Sequence, residues 1–493
     1  MRRSRGSALG SAAAGLGLAA LGSIALGGCD APRAGRAAAE AGASPLDCFP
    51  AAARPFLPHA TDAPARAAGA SPGSATVYVD GSGSMAGFLR AATGRERPLQ
   101  DLVSPDLLSG ALGGPTAFRR FGEAIHPVAP SEVAALAAPE SFACAAGRPC
   151  DNAESRLDRV FAEVAAQPAG AVSLVVTDLW LANPQARTSG VVDMAAPLAR
   201  IFETGRSVAV YGLAAPYAGR VYDLPSGRAD VTAARRPLFL VAVGPDARLR
   251  SLDDGLRASP SELLQAGLAD GRVRRSLFTR TPGAVGGARS LSAPGGGGPL
   301  AAAPVLAARE GVRIAQLTVS RRAAREAASG RGPASAGAPP RWSGPEPAGL
   351  APGAVWSGPL KPQLVAFESR GETCRADRDW RDFGALPGGW TAGAGGRWSF
   401  ALTPATLGDL RPGRYLLVGS LVRTGLDQPN PADRWMRDWS FAPGDPERVG
   451  ADGVFPVLNL AETARVLETA LAADARARPA AVDGWTAAVR VTE

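Results

Sequence analysis

Two periodicities alternate along the chain between residues 75 and 257. Apolar runs of strand length cover Thr76 to Val79, Thr116 to Phe121, Val172 to Asp178, Ser207 to Leu213 and Pro237 to Val243. Between them lie segments with helical spacing. Leu157, Val160, Phe161 and Val164 follow i, i+3, i+4, i+7 and predict an amphipathic helix leading into the 172–178 strand. Leu99, Leu102, Leu107, Leu108 and Leu112 predict one helix, or two short ones, since Pro105 interrupts the stripe. Another helix is expected from about Val191 to Thr204, while Val128 to Ala143 carries no regular pattern. This alternation predicts an α/β fold with a doubly wound, Rossmann-like sheet and helices on both faces.

The pattern weakens after residue 257. Gly, Ala and Pro dominate from about Thr281 to Gly358, broken by one strand-like piece, Gly311 to Val319, so 258–358 reads as a low-complexity extension or linker. Strands are expected at Gln363 to Glu368, Trp398 to Leu402, Tyr415 to Val422 and Ala487 to Val491. Leu460, Ala464, Leu467 and Leu471 mark a helix. Residues 359–493 are therefore expected to form a smaller, β-rich C-terminal domain. Its tryptophans, Trp380, Trp390, Trp398, Trp435 and Trp439, are expected in its core rather than on a recognition surface.

The N-terminus changes the picture. Basic Met1 to Arg5 precede an apolar run from Ala8 to Leu26 that ends in Leu26-Gly27-Gly28-Cys29, which resembles a bacterial lipoprotein signal. That resemblance implies cleavage after residue 28, acylation of Cys29 and a lipid-anchored protein of the bacterial cell envelope, facing the periplasm. Residues 29–74, rich in Ala, Pro, Gly and Arg, read as a flexible tether. In an oxidising compartment Cys144 and Cys150, close in sequence, are expected to bridge a loop; Cys48 and Cys374 are left over. The chain has 493 residues, a net charge of +8 and a single lysine, Lys361, against many arginines. The arginine bias reflects base composition, and no arginine cluster carries the interleaved aromatics of a nucleic-acid surface. With two histidines, His59 and His126, and no CxxC, a Cys/His zinc site is not expected.

The candidate chemistry lies in Ala75-Thr76-Val77-Tyr78-Val79-Asp80-Gly81-Ser82-Gly83-Ser84-Met85. The glycines end the strand, so Asp80, Ser82 and Ser84 fall on a turn at its carboxyl end. A carboxylate and two hydroxyls at i, i+2 and i+4 suit a hard divalent cation. This D-x-S-x-S turn after an apolar strand resembles the metal-ion-dependent adhesion site of von Willebrand factor A domains. The resemblance implies a second carboxylate from a later strand ending in Thr-Asp, here Asp178 after Thr177, although Leu179 stands where the family usually has glycine. It also implies a threonine before the helix that leads to that strand. Ser155 is the candidate there, with Asp151 and Asn152 as alternatives and a simple helix cap as the other reading of Ser155. The implied function is a non-enzymatic one: Mg²⁺ or Mn²⁺ held by Asp80, Ser82, Ser84, Ser155 and Asp178, with a carboxylate of a partner protein completing the site. A structural envelope lipoprotein with a non-functional metal site is the alternative. A hydrolase is the weaker one, because neither serine has G-x-S-x-G flanks and only His126 could act as a base.

Overall fold

In the computed structural model the described residues are 75–92, 96–105, 116–142, 154–180, 192–219, 235–259, 261–279, 300–307, 313–331, 341–343, 354–355, 360–369, 380–386, 389–392, 398–403, 410–423, 431–441, 452–458, 460–477 and 481–493, with residues 108, 112, 152, 221, 406, 407, 449 and 450 between them. The signal segment, the tether and all five cysteines lie outside them. Among the described residues no helix is long and apolar enough to cross a membrane.

The first sheet is built from β1 (Ala75–Asp80), β2 (Thr116–Phe121), β3 (Ile125–Val128), β4 (Val172–Thr177), β5 (Ser207–Pro216), β6 (Arg235–Gly244) and β7 (Val273–Phe278). In space they run β3-β2-β1-β4-β6-β5-β7, and the two-residue strand Ala354–Val355 extends the β7 edge. Strand β1 is parallel to both β2 and β4, so Asp80, Phe121 and Thr177 end on one carboxyl edge. All six residues of β4 are buried, and neighbouring side chains point to opposite faces, so this strand is covered on both sides. Its uninterrupted VSLVVT run is what such burial requires.

Two expectations need correction. The sheet is mixed: β6 lies between β4 and β5 and is antiparallel to both. Periodicity gives strand positions but not neighbours, so the alternation of elements could not reveal that β6 inserts beside β4. The boundary at residue 257 is also not a fold boundary. Strand β7 continues the sheet on β5, hidden from the apolar count by Arg274 and Arg275 in its centre. Residues of the C-terminal third enter the same core, among them Trp435, Trp439, Phe455, Leu467 and Leu471. Trp435 occupies space left open by Gly212 of β5, where a Cβ would come within 2.5 Å of the indole, and its Nε1 donates to buried Ser276 of β7 at 2.7 Å. Trp435 and Trp439 are thus core residues, as their composition suggested. The described residues all belong to one compact unit.

A second sheet is β-rich, in line with the sequence. Its strands, in spatial order, are Trp380–Ala385, Leu360–Ser369, Gly413–Arg423, Ala481–Thr492, Arg313–Ser320 and Leu300–Ala307. The last two come from the segment read as linker, and Arg313–Ser320 lies parallel to Ala481–Thr492. Trp485 anchors this sheet's separate core together with Phe400, Leu417 and Val489.

The helix Leu460–Ala477 packs against the helix Val192–Glu203 and carries the buried Glu468. Arg437 Nη2 donates to both Glu468 oxygens at 3.2 Å, and its Nη1 donates to the buried Asp433 at 2.7 Å. Burial, followed by the hydrogen bond and charge of Asp433, pushes the Glu468 carboxyl up to about 7 against the pull of Arg437. A carboxyl raised on folding contributes stability that is complete below its unfolded value and is lost as pH rises through its folded value. Stability should therefore fall between about pH 4.5 and 7. Urea unfolding across that range tests this, and Glu468→Gln, which keeps the shape, should flatten the part of the fall above pH 6.

Candidate metal-binding site

The site forms where β1 and β4 end. Asp80 terminates β1, and Gly81 turns the chain back under β2: its N–H donates to Phe121 O at 2.7 Å and its carbonyl accepts from Arg120 Nη2 at 3.1 Å. A Cβ at this position would lie 2.4 Å from Arg120 Nε, so any side chain here would have to displace the guanidinium. A short 3₁₀ turn, Gly83–Met85, then opens into the helix Ala86–Arg90. Gly83 N–H donates to Asn152 O at 3.0 Å and fastens this turn to the segment that carries Ser155. The helix Leu157–Ala166 begins just after Ser155 and carries the chain back toward the start of β4. Ser155 thereby reaches the same sheet edge from a different loop.

Asp80 is fully buried and collects the hydrogen bonds. Its Oδ1 accepts from Ser82 N at 2.8 Å, Ser155 Oγ lies 3.0 Å from both carboxylate oxygens, and Thr177 Oγ1 donates to Oδ2 at 2.7 Å. Ser82 Oγ and Ser84 Oγ are 3.0 Å apart. Of the five residues expected here, the structure joins Asp80 directly to Ser155, and Ser82 to Ser84. Asp178 lies near enough for its charge to act on Asp80. Burial first, and then that charge, pushes the Asp80 carboxyl up to about 6 against its neutral donors. Like Glu468, Asp80 thus favours folding most below its unfolded value and loses that contribution as pH rises through about 6. Of the alternatives to Ser155, Asn152 uses its side chain to donate to Phe142 O at 3.1 Å, and Asp151 lies outside the described residues.

Asp178 is also fully buried, but its surroundings differ. Its Oδ1 accepts from Trp180 N at 3.1 Å, and Oδ2 makes no hydrogen bond. Instead Oδ2 faces Arg236 Nη2 at 3.4 Å, with neither side chain exposed at all. The guanidinium lies between two rings, 5.0 Å from the Trp180 ring and 4.7 Å from the Tyr217 ring. Burial pushes the Tyr217 phenol up while the Arg236 charge pulls it down. Tyr217 in turn covers Gly87, where a Cβ would lie 2.2 Å from its ring. Tyr217 is thus a packed ring, 3% exposed, beneath the site.

Leu179 resolves the question raised by the missing glycine. Its φ of 52° is left-handed, a conformation that costs a leucine about 1 kcal/mol or more and a glycine little. The side chain is held there by burial beside Phe161, Met194, Leu198 and Val210, in a small apolar cavity that Leu467 also lines. The left-handed turn is therefore held by packing of the leucine side chain.

The oxygens present suit a hard cation: two carboxylates and three hydroxyls, with Asp178 Oδ2 lacking a hydrogen bond. Among the described residues no group of three or more His, Cys, Asp or Glu side chains gathers. Any site here depends on its hydroxyls, and Ser82, Ser84 and Ser155 would join the two aspartates in holding the ion.

Three residues escaped the sequence reading: Thr177, Tyr217 as a ring under the site, and Arg236. Thr177 was read only as the neighbour of Asp178, yet it donates to Asp80 and accepts from Leu179 N at 3.0 Å. Arg236 did leave a signal. It opens the apolar run of β6, nine of whose ten residues are buried, and a charge in such a strand requires a partner. Comparison with known protein families, with curated proteins and with solved structures finds no match.

Proposed function

We propose that this protein is a lipid-anchored binding protein of the bacterial cell envelope. It would engage a carboxylate of a partner protein through Mg²⁺ or Mn²⁺ at a site of the von Willebrand factor A type. The observation that carries this reading is the meeting, at one sheet edge, of Asp80 with Ser155, 75 positions away in sequence, beside the paired hydroxyls of Ser82 and Ser84. The parallel β2-β1-β4 arrangement and the two-sided burial of β4 support an A-like, doubly wound core on that side of the sheet. The antiparallel β6 is a departure from it.

A bound cation would supply a positively charged, open coordination position for an incoming carboxylate. The chain's part would be to orient the oxygens: Thr177 and Ser82 N–H fix the Asp80 carboxylate, and the Gly83–Asn152 bond keeps the two hydroxyl-bearing loops in register. One observation favours the second reading, a structural lipoprotein without a working metal site. Arg236 already offers Asp178 a positive charge.

Calorimetric melting decides between them. At Mg²⁺ or Mn²⁺ about 100 times the Kd, the folded state should gain roughly 2.7 kcal/mol and melt at a higher temperature. Asp80→Ala should abolish the rise, while Ser82→Ala and Ser84→Ala should weaken it without unfolding the protein. Unchanged melting in millimolar Mg²⁺ and Mn²⁺ would leave the structural reading in its place.

A further inference from the structure

We propose that Arg236 is a built-in countercation that competes with a divalent ion for Asp178, and so sets how tightly the site takes metal. This rests on the metal-binding reading above.

The contrast with a second buried arginine carries the argument. Arg206, equally unexposed, is bound on all sides: Nε donates to Thr204 Oγ1 at 2.9 Å, Nη1 to Val164 O at 2.7 Å and Nη2 to Ala165 O at 2.9 Å. It ties down the last carbonyls of the helix Leu157–Ala166 and is a structural element. Arg236 has no such set. Among the described residues none of its Nε, Nη1 and Nη2 makes a hydrogen bond of normal geometry, and neither does the Asp178 Oδ2 that it faces. The Asp178–Arg236 pair is held by charge at 3.4 Å, with the flanking rings and the Tyr217 hydroxyl beside the guanidinium, rather than by aligned donors. An attraction of that kind is strong in a dry interior yet lacks the directional bonds that would lock it.

Position supplies the second strand of the argument. Trp180, one of the flanking rings, belongs to the Asp178 loop and donates its N–H to Asp178 Oδ1. Tyr217, the other ring, rests on Gly87 of the helix that follows Ser84. Arg236 therefore touches the supports of two of the three loops that form the site. Asp80, by contrast, receives only neutral donors, so the arginine faces the site carboxylate that has an oxygen without a donor. A doubly charged ion held by Asp178 would share that carboxylate with the like charge of Arg236. Metal entry must then weaken the Arg236–Asp178 contact.

The test is titration of Mg²⁺ by calorimetry into the wild-type chain and Arg236→Met, with the wild-type Arg236 Nε–H signal followed by NMR and assigned with Arg236→Lys. Removing a like charge a few ångströms away should tighten Mg²⁺ binding roughly tenfold or more in Arg236→Met. In the wild type the Nε–H signal should shift as metal saturates. Metal bound by the variant but not by the wild type would show competition at its limit and support the proposal. Equal or weaker binding by a folded Arg236→Met, with the wild type binding metal, would overturn it and leave the metal reading intact. Should Arg236→Met fail to fold, the wild-type signal decides, and a shift is required. Binding by neither protein would overturn the proposal and the metal reading together.

Discussion

Asp178→Ala destabilises the metal-free protein by about 3 to 5 kcal/mol, because it leaves the guanidinium of Arg236 buried with no countercharge. A metal site alone would predict the opposite, since removing one of two mutually repelling carboxylates should relieve strain when no ion is present. The two side chains show no exposure, so screening by solvent cannot soften the loss. Asp178→Asn should lose less, as its amide oxygen can still face the arginine. The double change Asp178→Ala with Arg236→Met should recover much of the stability, because an apolar side chain of similar length fills the space between Trp180 and Tyr217. Urea denaturation in chelator measures all three. Losses that simply add in the double variant would mean that the two groups do not interact.

Trp485→Ala should cost about 3 to 5 kcal/mol through a different route, a cavity in the second core. The indole is 1% exposed and packs against Phe400 in a tilted pair, 4.7 Å between centroids. Its ring lies over Gly419 of the neighbouring strand, to which it is paired in register. A Cβ there would come within 2.2 Å of the ring, so Gly419→Ala should also destabilise by overpacking. Thermal unfolding followed by circular dichroism reads both variants. If the first sheet depends on the second, as expected for one compact unit, the transition should move as a whole rather than split.

The parts of this structure legible in the sequence are those whose signal is local. Strands β1, β2 and β4 and the helix Leu157–Ala166 follow from runs and stripes of one residue class, while Ser155 entered, beside Asp151 and Asn152, through the family resemblance applied to the loop before that helix. Asp80 and Ser155 are 75 positions apart, yet a parallel strand pair with a returning helix leaves few other places for them. What stayed hidden depends on pairing between distant segments. Arg274 and Arg275 disguised β7, whose Arg275 is itself buried against Asp253. The helices Asp246–Arg257 and Glu262–Asp270 were not anticipated because charged residues crowd the first and short turns separate the two. Arg236 and Asp178 are joined only once β6 lies against β4, and nothing in either strand names the other.

The insertion of the C-terminal helix into the first core also sets an order in time. A chain made from its amino end presents β1 to β7 long before Leu460, Leu467 and Leu471 exist to cover them. Synthesis proceeds at about 5 to 20 residues per second, so that interval is on the order of ten seconds or more. Through it the apolar patch of Met194, Leu198, Val208, Val210 and Val241 that receives Leu467 lacks its cover. The half-made protein is for that period a client for whatever holds nascent chains apart, and a shortened gene product ending before residue 460 would remain one permanently.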